Sequence, residues 1–199
     1  MAKQKRRFFR RGKQQQPKGN YAFIDSQNLN LGTQRVGWKM NWKRFREWLR
    51  DEHGVVKAFM FIGYVPDNED LYRQMKEAGY LVILKPTVDM YMTKEELKDE
   101  KHVTKGNADA ELVLYAMKEL QNYNKAIVVS GDGDFHCLVE YLDSIQKLKS
   151  VMAPNNHYST LYRDYEQYIH VLDKDRKILS YGPARRKRSH NNSKKSHKK

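Results

Sequence analysis

Two carboxylates share one short turn in this chain, Ser130-Gly131-Asp132-Gly133-Asp134-Phe135. The apolar run Ala126-Ile127-Val128-Val129 before it reads as a buried strand. After it, Phe135, Leu138, Val139 and Leu142 recur at i, i+3, i+4 and i+7, the stripe of a helix. In an open α/β sheet a turn of this kind faces the crevice beyond the strand's carboxyl end, where ligands bind. Asp132 there reads as a ligand for a cation, and Asp134 reads either as a second ligand or as the N-cap of the following helix.

Two further acids have the same kind of setting. Tyr21-Ala22-Phe23-Ile24 reads as a strand covered on both faces, and it ends in Asp25. Asp25 is a turn-forming or capping residue, or a second acid at a strand end. Asn28 follows in the loop, placed to order Asp25 or a water, or to turn the chain. Asp109 opens a helix capped by Asn107, on one stripe with Leu112, Val113, Ala116 and Leu120. Glu111 lies off that stripe and is expected to face solvent. An acid on a core-facing stripe is costly unless it is paired, metal-bound or at a crevice rim. A helix-dipole role explains an acid in the first turn, but not its core-side placement.

A strand order of 3-2-1-4-5 puts the first and fourth strands side by side and gathers Asp25, Asp109, Asp132 and Asp134 at the switch point. Crowded carboxylates repel. Each pair ~4 Å apart costs on the order of 1 kcal/mol in water and ~4 kcal/mol at an effective dielectric of ~20. A divalent cation removes that cost, and all-oxygen ligands favour Mg²⁺ or Mn²⁺ over zinc. Such an ion activates water and stabilises charge on a phosphodiester under in-line attack.

The elements that position these acids are legible in order. Residues 41–52 read as an amphipathic helix capped by Asn41, with Trp42, Phe45, Trp48 and Leu49 on one face and Gly54 at its end. The tryptophans there suggest base stacking less than core packing. Residues 55–62 read as a strand, Pro66-Asp67-Asn68 opens a helix to Ala78, and residues 80–84 form a third strand. Leu148, Val151 and Met152 mark a fifth strand, residues 157–166 a short helix, and residues 168–172 an edge strand. This repeated β-α-β pattern predicts a three-layer α/β/α fold with a mainly parallel sheet of five or six strands. Residues 86–104 break the rhythm as a solvated excursion or a substrate guide, with Tyr91, Lys94 and His102 as candidate contacts.

The chain's 199 residues, with a net charge of +14, suit one domain with appendages. Eight Lys/Arg and no acid fall in residues 1–19, and eight more with no acid fall in residues 183–199. Removing those sixteen leaves 22 basic against 24 acidic residues, so the positive charge belongs to two tails of disordered composition. They are expected to attract phosphates through counterion release, or to serve solubility alone. The domain between them is expected at residues 20–175. The single cysteine, Cys137, excludes an intramolecular disulfide and points to a reducing, cytoplasmic compartment. Inside a predicted helix, it reads as a buried apolar residue. No apolar run approaches the ~18 residues of a membrane span, and the N-terminus lacks the apolar region of a secretory signal.

Competing chemistries lack their parts. No glycine-rich loop matches a nucleotide-binding pattern, no histidine pair sits at i, i+4, and Asp25-Ser26-Gln27 is not the D-x-D of a phospho-aspartate phosphatase.

Three stretches together resemble the NYN domain family, PIN-like proteins related to the LabA-like group. Phe23-Ile24-Asp25-Ser26-Gln27-Asn28-Leu29 is similar to its opening F-I-D-x-x-N-L, with Ser26-Gln27 for the commoner Gly-Glu. Lys105-Gly106-Asn107-Ala108-Asp109 is similar to its K-G-x-D element with one extra residue before the acid, and Ser130 to Phe135 to its S-G-D-x-D-F. The resemblance covers roughly residues 20–172. It implies a PIN-like α/β/α fold and a Mg²⁺- or Mn²⁺-dependent endoribonuclease. Asp25, Asp109, Asp132 and Asp134 would form its acidic site, with Asn28 beside them. The substrate implied is single-stranded or structured RNA. DNA stays open, because no feature reads a 2′-hydroxyl. The alternative is an inert RNA-binding or regulatory adaptor, as for some relatives, and oligomeric state is left open.

Overall fold

The structure is a computed structural model that describes residues 18–64, 68–85 and 108–181. Residues 86–104 with Tyr91, Lys94 and His102, the Lys105-Gly106-Asn107 stretch and both basic tails lie outside them, apart from Lys18 and Gly19.

Strands form where apolar runs can be covered on both faces. They are β1 (Asn20–Asp25), β2 (Val55–Gly63), β3 (Leu81–Lys85), β4 (Ala126–Val129), β5 (Leu148–Ala153) and β6 (Ile169–Val171). They make one parallel sheet in the order β3-β2-β1-β4-β5-β6. The expected order holds and gains β6 at the edge. The helices are α1 (Ser26–Arg35), α2 (Trp42–His53), α3 (Glu69–Glu77), α4 (Asp109–Lys118), α5 (His136–Ser144) and α6 (Arg176–Leu179).

Strand alternation divides the core in two. Ala22, Ile24, Met60, Ile127 and Val129 face one way, under Leu29 of α1, Phe45 and Leu49 of α2, Met75 of α3 and Leu179 of α6. Tyr21, Phe23, Phe59, Phe61 and Val128 face the other, under Leu112 and Ala116 of α4 and Leu138, Val139 and Leu142 of α5. The result is three layers, α/β/α. Trp38 is buried in the first core, and Trp42 and Trp48 pack against it, so these rings are packing and not a stacking platform.

Local signals explain the helix ends. The Asn41 side chain accepts the Arg44 N–H (3.2 Å), and Gly54 ends α2 at φ 65°, a conformation glycine adopts without steric cost. The packed chain runs on through α6, because Leu179 is fully buried, Ser180 bridges Met40, and the Asn41 N–H donates to the Leu179 carbonyl.

What matters for the site is the centre of the sheet. β1 lies between β2 and β4, and Ile24 pairs with Val129. The carboxyl ends of β1 and β4 therefore reach the same level at the switch point.

Candidate active site

β1 passes into α1 at Asp25, with no loop between them. The Asp25 Oδ1 accepts the Asn28 N–H (3.0 Å), which makes Asp25 the N-cap of α1. Its Oδ2 accepts the hydroxyl of the fully buried Ser130 (3.2 Å). The capping reading and the strand-end reading of this acid thus fall on different oxygens of one carboxylate. Asn28, expected in a loop, is the third residue of α1. Its side-chain oxygen accepts the Gly131 N–H (2.9 Å), and Ser130 Oγ accepts the Asp132 N–H (3.1 Å). These bonds tie the turn after β1 to the turn after β4 across more than a hundred residues of chain.

The second turn is held from above as well. Asp132 caps a short 3-10 turn, Gly133–Phe135, by accepting the Asp134 N–H (3.1 Å). The Asp132 carbonyl accepts the hydroxyl of the buried Tyr162, and the Gly131 carbonyl accepts the Ser159 N–H (2.9 Å). A side chain at Gly133 would collide with Ser159 Oγ and Leu161, which is why glycine stands there. Phe135 anchors the turn in the core. Asp134 caps nothing: Asp132 caps the 3-10 turn, α5 begins after Phe135 with no side-chain cap, and Asp134 is exposed.

Asp25, Asn28, Asp109 and Asp132 line one cavity of about 450 Å³, and Asp134 is not part of its lining. Asp109 is half-buried at the first position of α4, on the stripe with Leu112 and Ala116. Glu111 does not face open solvent: its carboxylate lies 3.3 Å from Lys85 Nζ, at the end of β3. Burial pushes the Asp25 carboxyl above its ordinary value. Asp109 and Asp132 push it further, against the hydrogen bonds from Asn28 and Ser130.

Such a donor set, all carboxylate and carbonyl oxygen, fits a hard divalent cation. Among the described residues no three His, Cys, Asp or Glu side chains are gathered closely enough to hold an ion by themselves. An ion bound there would need waters or substrate oxygens to complete its shell.

The NYN domain model matches residues 21–173, a span that holds every residue of this site. The chain belongs to the NYN domain family. NYN domains have a PIN-like, nuclease-type fold. This one is 29% identical over 157 residues to the low amplitude and bright protein LabA of Synechococcus elongatus, covering 76% of this chain and 82% of that one. Its fold is similar to the crystal structure of a protein of unknown function from Vibrio parahaemolyticus RIMD 2210633. The TM-score is 0.64 and the identity 24%, covering 83% of this chain and 99% of that one.

Among the lining residues of this NYN domain that were not anticipated, four are polar: Gln27, Arg35, Asn155 and His157. Asn28, Leu31, Gly32 and Arg35 line the cavity at i, i+3, i+4 and i+7, one face of α1. That spacing is visible in the sequence once residues 26–35 are taken as a helix. Asn155 is buried in the turn after β5. It donates from Nδ2 to the Gly32 carbonyl (2.7 Å) and accepts the His157 N–H (2.7 Å). Cys137, expected to be buried, is exposed, because it lies one position off the Leu138, Val139 and Leu142 face of α5.

Proposed function

We propose that this NYN domain is a metal-dependent endoribonuclease in which one or two of the cavity carboxylates Asp25, Asp109 and Asp132 hold Mg²⁺ or Mn²⁺, with water or substrate oxygens completing its shell. One observation carries the reading: a half-buried carboxylate crowded by two others on a cavity at the switch point of the sheet. Crowding of like charge is costly without a ligand that reverses it. A divalent cation bound there supplies an activated water and shields the phosphate undergoing attack.

The chain's own residues do the rest. Ser130 fixes the orientation of the Asp25 carboxylate through its hydroxyl. Asn28 is a positioning residue, since its two hydrogen bonds set Asp25 and Gly131 relative to each other. Asp134, exposed and off the cavity lining, is the outermost of the four acids and receives no ligand role here. The sixteen tail cations raise the local concentration of RNA, single-stranded or structured. Among the described residues no helix is long and apolar enough to cross a membrane, and a reducing cytoplasm suits the single cysteine.

A second reading has its own support. With no three ligating side chains gathered among the described residues, an inert RNA-binding or regulatory adaptor built on the same fold is the runner-up. The test incubates labelled single-stranded RNA with Mn²⁺, Mg²⁺ or EDTA, beside the Asp132→Asn variant. Metal-dependent cleavage that falls at least ~100-fold in the variant, with RNA binding retained, is expected. Intact RNA across metals and substrates, with tight binding, moves the assignment to the adaptor.

A further inference from the structure

The arginines of this domain divide by what they touch. Arg44, Arg46 and Arg176 donate to backbone carbonyls, at Ser180, at Gly79 and at Gly37 respectively. Arg50 and Arg73 pair with Asp51 and Asp70. Arg35 has no hydrogen-bond or ion-pair partner among the described residues, is exposed, and lines the cavity. Arg163 is also exposed and unpartnered among them, but it is off the cavity lining.

Its place in α1 is specific. Arg35 lies seven residues beyond Asn28 on the cavity-facing stripe, about 10 Å along the helix axis. The carboxylates stand at one end of that stripe and the guanidinium at the other. The helix cannot roll away from the cavity there. A side chain at Gly32 would overlap the Pro154 ring, and Asn155 holds the Gly32 carbonyl. A cation in the last turn also complements the helix dipole. That explains the charge of Arg35, but not its position on the stripe that faces the cavity.

We propose that Arg35 is a substrate-binding residue whose guanidinium takes a backbone phosphate of the RNA strand, at the end of the cavity away from the carboxylates. His157, on the facing turn, flanks the same phosphate. The inference rests on the nucleic-acid reading of the cavity, but not on cleavage. A guanidinium suits the task because its planar fork binds phosphate through paired N–H donors. It also gives a polyanion a favourable contact in a cavity whose three carboxylates, Asp25, Asp109 and Asp132, repel it.

The test titrates the full chain with the dinucleotide uridylyl-uridine, followed by NMR in EDTA at physiological salt, where tail attraction is screened. Salt titrations with fluorescein-labelled hexauridylate run alongside. Arg35→Ala is expected to weaken dinucleotide binding about tenfold and to lower the salt slope by about one. Arg35→Lys is expected to restore part of the affinity, and Arg163→Ala to bind as wild type. The thermal midpoint of Arg35→Ala should stay within about 2 °C of wild type, as for loss of one exposed charge at a helix end. Wild-type affinity in Arg35→Ala, an equal loss in Arg163→Ala, or a wild-type chain that binds neither probe overturns the inference. If no ion supports cleavage but the Arg35 effect is present, the inference stands and the nuclease reading falls. If cleavage is metal-dependent and Arg35→Ala changes neither affinity nor KM, the inference falls alone.

Discussion

Two clusters of partly buried ionisable side chains in this domain are treated in opposite ways. On the shoulder formed by β6 and the end of α2, His170 Nε2 lies 2.7 Å from Asp175 Oδ2, and the Trp48 ring packs against both His170 and His53. Burial, followed by His170 and Lys149, holds His53 below its ordinary value, which keeps it neutral beside the pair. The Asp175 carboxylate there has an imidazole partner, and the neighbouring His53 is held toward its neutral form. At the carboxyl ends of β1 and β4 the reverse holds. Asp25 is half-buried, and the charged groups that act on it most strongly, Asp109 and Asp132, carry its own sign. A fold selected only for stability would place a cation there. In the proposed function the position is left to a cation, at a cost in stability of the free protein.

Substitution at Asp25 is the sharpest way to break that contrast. Its folded-state value lies above the 3.8 of an unperturbed aspartate, so the folded protein favours the protonated form. The ionised carboxylate therefore works against folding once the pH rises through the window above 3.8, and it is neutral toward folding below that window. Asp25→Asn is expected to lose RNA cleavage by ~100-fold or more, through loss of a metal ligand. The same variant should unfold about 2–4 °C higher at pH 7, from relief of repulsion on the order of 1 kcal/mol. Calorimetry across pH checks the second half: the two melting curves should converge as acid protonates the wild-type carboxyl. A variant less stable than wild type at neutral pH would remove the contrast.

Asn28→Ala comes next in size. It leaves the Gly131 N–H without its acceptor and frees the turn after β4, at an expected cost of about 1–3 kcal/mol. Urea unfolding measures the loss. Weaker Mn²⁺ binding at unchanged ligand identity would mark Asn28 as a positioning residue and not only a structural one. The smallest effect belongs to the shoulder. Asp175→Asn strips His170 of its partner on a partly exposed surface, where such a pair contributes about 0.5 kcal/mol. The melting temperature should fall by about 1–2 °C with RNA cleavage untouched. A loss of cleavage there would couple two regions that the fold keeps apart.

Continuous apolar runs and their order told most of the fold in advance. The placement of β1 beside β4 followed from β-α-β repetition, and Asn41 and Gly54 marked the ends of α2 by their residue types alone. α1 was hidden for a physical reason. Only Ser26, Leu29 and Thr33 of its ten residues are buried. The face that lines the cavity reads Asn28, Leu31, Gly32, Arg35, so its stripe is polar where a core-facing helix is apolar. With α1 unseen, Arg35 had no place in the site. Cys137 and Glu111 misled in a simpler way. A place inside a predicted helix suggested burial for Cys137 and a position off the stripe suggested solvent for Glu111, while the face of α5 and an ion pair to Lys85 decided differently.

By itself the sequence determined the strand set, its parallel order and the acids at strand ends, because these rest on local periodicity and on residue types that the backbone reads directly. The tertiary structure alone decided which acids share a cavity, which of Asp132 and Asp134 caps the turn, and what stands at the far end of α1. Those outcomes depend on hydrogen bonds between segments about a hundred residues apart, such as Asn28 to Gly131 and Asn155 to Gly32. No local pattern encodes partners at that separation.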